Sequence, residues 1–148
     1  SSSPNLVNVI ITGNSSPNGG GIYLYGSSTT LINVTITANS AEYGGGIHLY
    51  GNSMMNIQNS ILWNDSQEEV YFSEVLGWNE PGEILITYSD IQGGETGIET
   101  NNYGTINWLE GNIDSDPLFC DAENGDFTVQ SDSPVLGAGQ DEIGRAHV

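Results

Sequence analysis

In the first third of the chain, apolar residues recur at every second position in short runs separated by Gly and Asn. In residues 31–55, Ile32, Val34 and Ile36 fall on one side of such a run and Asn33, Thr35 and Thr37 on the other, which predicts a strand that buries one face. Val7, Val9 and Ile11 take the same inward positions in residues 6–30. After a turn at NSSPNGGG or NSAEYGGG a second strand is predicted, with Ile22 and Leu24 inward, matched by Ile47 and Leu49. Helix formers are scarce here and β-branched residues plentiful, so the elements are strands.

Residues 6–30 and 31–55 are two copies of one 25-residue unit with 15 identical positions and no gap, and a third copy starts at Asn56 and fails after Asn64. A period this short cannot hold a four-stranded propeller blade, which needs about 40 residues. It fits one coil of a β-solenoid, in which stacking sets each residue over its equivalent at about 4.8 Å and like residues form ladders. Asn8 over Asn33, and Asn14 over Asn39 over Asn64, are the expected amide ladders. The glycine triplets at residues 19–21 and 44–46 would supply positive φ at a corner where Cβ atoms collide. At one position the residue grows from Gly13 to Ala38 to Trp63, so Trp63 is expected as a lid over the last regular coil. Later signals are a displaced strand at 70–72, a strand pair in 83–91, and a tight turn at Asn124-Gly125 between residues 118–120 and 127–129.

The N-x-A/S…GGGI pattern, NSILWN, ITYSDIQGG (residues 86–94) and NIDSDPLFCDAENGDFTVQSDSPVLGAG (residues 112–139) together cover most of residues 6–139. They resemble the right-handed parallel β-helix repeats of large secreted and surface-anchored bacterial proteins and the terminal part that often precedes a variable anchor there. The resemblance implies an all-β, right-handed parallel β-helix with an irregular acidic terminal module. It also implies an extracellular or cell-surface location and further coils upstream of Ser1 in a longer chain.

Charge divides the sequence. Of 19 acids only Glu42 precedes residue 65, and 17 lie between Asp65 and Asp141, against one Arg and no Lys. We therefore expect helical coils in 1–64 and an insert plus capping module in 65–141. Residues 142–148, EIGRAHV, resemble the translation of a sequencing-adapter stretch; they are expected to be non-native and the chain to be a fragment cut at both ends. A net charge of −18 opposes nucleic acid and anionic membrane surfaces, which are bound through Lys and Arg. No run approaches the roughly 18 apolar residues of a membrane helix, so no membrane insertion is expected. A lone cysteine, Cys120, forms no internal disulfide.

Candidate chemistry is sparse. The glycine triplets lack the spacing and Lys of a phosphate loop. His48 is the one histidine outside the terminal heptapeptide, and its ladder neighbours are tyrosines rather than a carboxylate and a nucleophile, so it is expected as a surface strand residue. Tyr23, Tyr25, His48 and Tyr50 should form a two-by-two aromatic patch on one outer face, suited either to a sugar ring from a polysaccharide or cell-surface glycan or simply to a stabilising ladder. Asp114, Asp116, Asp121, Glu123, Asn124 and Asp126 form the densest oxygen cluster, which suits Ca²⁺ and is equally explained by turns and caps. Parallel β-helices include polysaccharide lyases and hydrolases. A lyase needs a Lys or Arg base, absent before residue 142, and a glycosidase needs two carboxylates about 5–10 Å apart, which residues 1–64 do not hold. A threonine ice-binding face would need T-x-T in every coil, and Thr35/Thr37 has Ile10/Thr12 below it. The reading is a non-catalytic structural or adhesive module. Its competitor is a fragment of a carbohydrate-active enzyme with catalytic coils upstream.

Overall fold

The structure, a computed structural model, describes residues 3–74, 77 and 80–139. The seven terminal residues read as non-native lie outside them. Strands are short because left-handed residues cut each coil at fixed corners. Asn8, Asn33 and Asn59 take φ of 57°, 54° and 50°, and Gly13, Ala38 and Asn64 take 69°, 56° and 64° at the next corner. Asn and Gly tolerate this region with little steric cost, which explains their recurrence.

The first coil holds β1 (Asn5–Val7), β2 (Ile10–Thr12), β3 (Ser15–Asn18) and β4 (Ile22–Tyr25). The second holds β5 (Ser28–Ile32), β6 (Thr35–Thr37), β7 (Ser40–Tyr43) and β8 (Ile47–Tyr50). Then come β9 (Met54–Gln58), β10 (Ile61–Trp63), β11 (Val70–Ser73), β12 (Gly82–Thr87), β13 (Asp90–Ile91) and β14 (Gly104–Trp108). Stacking produces parallel sheets ordered β1-β5-β9-β12-β14, β2-β6-β10-β13 and β4-β8-β11, with β3 beside β7. The fold is an all-β parallel solenoid of about four turns with coils near 25 residues.

Each main sheet contributes columns of stacked side chains to one core. Leu6, Leu31, Ile57 and Ile86 form one column; Ile11, Ile36, Leu62 and Ile91 a second; Ile22, Ile47 and Val70 a third; Leu24, Leu49 and Phe72 a fourth. Burying each Leu, Ile or Phe contributes about 1.5–3 kcal/mol, so the columns carry the stability of the stack.

Several sequence expectations shift here. Leu6 and Leu31, not Val7 and Ile32, point inward: Leu31 is fully buried while Val7 is 48% exposed. The left-handed Asn8 and Asn33 reset the alternation between β1 and β2 and between β5 and β6, so the two sides exchange at the corner. Three residues, Gly51 to Ser53, separate β8 from β9, where only Gly26 and Ser27 separate β4 from β5. From there equivalents lie 26 residues apart, as in the Val34 N–H to Ser60 Oγ hydrogen bond. Trp63 therefore pairs with Thr37 rather than Ala38, and Ile61, not Ser60, sits over Thr35. Trp63 is no lid: β12 to β14 continue the stack, Trp63 packs against an outer cluster with Ile61 and Val135, and it is Trp108 that lies against the core beyond Ile86. Strands β11 to β14, which composition groups with the terminal module, continue the same sheets.

The terminal module is a hairpin of β15 (Phe119–Asp121) and β16 (Asp126–Val129), the one antiparallel pair among the described residues. Gly125 turns it at φ 81°, where the Asn-Gly signal lies. Phe119, Val129 and Val135 pack with Ile61 and Trp63, covering the outer side of β6 and β10, so Thr35 and Thr37 are buried. The glycine triplets serve two purposes. Gly19 and Gly44 take φ of 59° and 63°, whereas Gly20 and Gly45 make room: a Cβ would lie 2.5 Å from the Gly45 carbonyl oxygen and 1.9 Å from that of Ser66.

Candidate functional site

The outer face of β4, β8 and β11 holds the expected patch and extends it. Tyr23 meets His48 edge-on at 5.2 Å between ring centroids, and Tyr25 stacks on Tyr50 at 5.2 Å with 20° between planes. Tyr23 and Tyr50 are 6.3 Å apart across the square, so the four residues come together. The next rung adds Tyr71, edge-on to His48 at 5.2 Å, and Tyr71 lies 5.3 Å from Tyr43 at the end of β7. Sequence reasoning did not use Tyr71 or Tyr43. The signal for Tyr71 was VYFS, which follows IYLY and IHLY in the same register.

His48 is not a surface residue. Tyr23 and Tyr71 close over it from the rungs on either side, leaving it 3% exposed, with Nε2 hydrogen-bonded to Ser73 Oγ at 2.6 Å and Nδ1 without a partner. Burial pushes its pKa down to about 4, so the ring is neutral at ordinary pH. It has no carboxylate partner and works as a filler between tyrosines. Tyr23, Tyr25 and Tyr43 are 44%, 56% and 42% exposed, a contiguous aromatic surface facing solvent.

The acidic terminal residues are placed separately. Asp114 Oδ1 accepts the Gly93 N–H, Asp116 Oδ1 the Leu118 N–H, and Asp121 Oδ2 the Asn124 amide. Asp126 Oδ1 accepts both the N–H and the hydroxyl of Thr128, which hold its carboxyl below the usual range, and Glu123 lines a groove beside Trp63 and Phe127. Among the described residues no three His, Cys, Asp or Glu side chains converge as metal ligands.

A carboxyl pair that the sequence did not flag is buried at the start of the third-coil turn. Asp65 and Glu69 are 8% and 5% exposed; Asp65 N–H donates to Glu69 Oε1 at 3.1 Å, and Asp65 Oδ2 and Glu69 Oε2 are buried without a partner. Asp65 Oδ1 accepts both the Asn39 N–H at 2.6 Å and its side-chain amide at 2.9 Å. It, and not Asn64, continues the ladder from Asn14 and Asn39, because of the one-residue slip. Burial raises both acids, and the adjoining Asp65 pushes Glu69 further, to about 9, so the pair keeps a proton at neutral pH. A cleft of 330 Å³ lined by Gln67, Glu68 and Gln92 lies alongside.

Residues 8–25 match the repeat model described as the Chlamydia polymorphic membrane protein (Chlamydia_PMP) repeat. That span is the first-coil unit from the Asn8 corner to the end of β4. With the stacked fold, it supports a β-helix repeat of surface-protein type. No curated protein and no solved structure matches the chain.

Proposed function

We propose that this chain is a non-catalytic module of a secreted or surface-displayed β-helix protein, a rigid stalk whose aromatic face contacts glycans. One observation carries the reading: exposed Tyr23 and Tyr25 sit on a sheet of fixed spacing with exposed Tyr43 beside them at the end of β7, backed by buried or half-buried His48, Tyr50 and Tyr71 that lock their positions. Aromatic rings present an apolar face to the C–H side of a sugar and a polar edge to its hydroxyls, and preset rings lose little entropy on binding. Cell-surface placement is supported by the likeness of residues 8–25. Calorimetric titration with oligosaccharides tests the proposal. Tyr25→Ala is expected to weaken binding by about tenfold, or ~1.4 kcal/mol, with the fold unchanged because Tyr25 faces solvent. Equal binding by wild type and Tyr25→Ala would overturn it.

The enzyme reading has the Asp65–Glu69 pair and its adjacent cleft in its favour. Against it, both carboxyls are buried in one tight turn, with Glu69 Oε1 tied to the Asp65 N–H, whereas a glycosidase pair faces substrate from about 5 Å or more apart. Release of reducing ends from a polysaccharide by this chain would establish that reading and displace the binding module.

A further inference from the structure

We propose that the aromatic face selects glycans bearing free amino groups, cationic amino-sugar chains, over neutral or uronate glycans. This rests on the glycan-contact reading and adds the charge of the ligand to it.

Carboxylates rim the rings. A parallel bridge pairs Tyr71 with Glu99, and Glu99 N–H donates to the Val70 carbonyl while Phe72 N–H donates to the Glu99 carbonyl. Paired residues of a parallel ladder project to the same side, so Glu99 extends the column Tyr23, His48, Tyr71 by one rung. Its side chain is exposed, and Oε1 accepts the Asn101 N–H at 3.0 Å. On the lateral edge, exposed Glu42 directly precedes Tyr43 on β7, and the Tyr43 ring packs on Tyr71. Two carboxylates thus border one aromatic surface. No Lys or Arg stands among the described residues to neutralise them.

Charge complementarity identifies the occupant. An ammonium group gains from an aromatic face, by about 0.5–1 kcal/mol at exposed sites, and again from a carboxylate one rung away. A uronate or sialate carboxylate meets repulsion from the same two acids and from a net charge of −18. A neutral sugar gains stacking only. Rings and acids lie on one face, so one chain of linked amino sugars reaches both.

The test is calorimetric titration with oligomers of glucosamine, N-acetylglucosamine and galacturonate at mildly acidic pH, where the free amine is protonated. The glucosamine oligomer is expected to bind about fivefold tighter than its acetylated form, ~1 kcal/mol, with the advantage shrinking as salt rises. The double variant Glu42→Gln, Glu99→Gln keeps an acceptor oxygen at each position and should cut that advantage to about half, leaving the share that the rings supply. Equal affinities in the wild type, tighter binding of galacturonate, an advantage undiminished in the double variant, or an oligolysine peptide binding as well as the amino sugar would each overturn the proposal. Binding of all three sugars without preference sinks it and leaves the glycan-contact reading standing. No binding by any sugar sinks both.

Discussion

Replacing Glu69 with Gln should stabilise this protein at alkaline pH, and by more with each pH unit. Glu69 is 5% exposed, and its carboxyl, ordinarily near 4.5, is pushed up to about 9 by burial and by the adjoining Asp65. Between those values the unfolded chain has lost the proton and the native chain keeps it, so unfolding releases a proton and stability falls as pH rises. Each unit of that window costs about 1.4 kcal/mol. At pH 8 the accumulated loss reaches about 5 kcal/mol as a ceiling, which local relaxation and water entry reduce. In Glu69→Gln the side-chain amide can donate to the unpartnered Asp65 Oδ2 and has no proton to lose.

The window for the measurement is set by a third raised carboxyl, outside the Asp65–Glu69 pair. Burial pushes Asp90 up to about 7, against the N–H of Ser115, with Asp114 and Asp116 adding to the rise, and it gives the same sign of slope at lower pH. Above about pH 7 that contribution is exhausted and the slope belongs to the Asp65–Glu69 pair. Urea unfolding followed by circular dichroism from about pH 7 to 8.5 should show wild-type stability falling by about 1–2 kcal/mol relative to Glu69→Gln. Parallel curves for the two proteins would refute the shared proton, as would a variant less stable than wild type at pH 8.

The backbone offers sharper contrasts. Ala38 takes φ 56° where the neighbouring coils carry Gly13 and Asn64, so Ala38→Gly should gain about 0.5–1 kcal/mol after the entropy of glycine in the unfolded chain is deducted, read by denaturant midpoint. Gly45→Ala, whose Cβ would sit 1.9 Å from the Ser66 carbonyl oxygen, should destabilise by several kcal/mol. Gly13→Ala, with open space and φ 69°, should cost only about 1 kcal/mol. Asp114, Asp116, Asp121 and Asp126 already accept local donors, so Ca²⁺ against chelator is expected to leave the melting temperature unchanged. A rise with Ca²⁺ would establish a site there.

The fold was legible because two copies of the unit stand side by side. Identity at 15 of 25 positions fixes the coil length and places Asn14 on Asn39 and Tyr25 on Tyr50, and the structure keeps both contacts. The chain beyond the second copy was legible in kind but not in register. One extra residue between β8 and β9 leaves no trace in composition, yet it moves Trp63 from Ala38 to Thr37 and replaces Asn64 by Asp65 in the ladder. Strand β12 shares its alternating burial with β9 but not its residues, so periodicity marks a strand without naming its partner. The burial of His48 was out of reach for a related reason: it needs Tyr71, and Tyr71 reaches it only once the turn between β10 and β11 is known.

That turn joins the scaffold to the face. In the first two coils the ladder is made of amides, each able to donate upward and accept from below, so the sequence can repeat without limit. Asp65 accepts from Asn39 twice but has no N–H on its side chain to pass on. Its second oxygen, Oδ2, is buried without a partner, and Asp65 together with burial keeps the nearby Glu69 protonated. Holding Glu69 four residues away closes the turn, and the next residue, Val70, enters β11 directly over Ile47. Tyr71 then falls on His48, shuts it from water and packs on Tyr43. The Asp65–Glu69 turn in this way sets the register of β11 and, through Tyr71, the arrangement of the aromatic face.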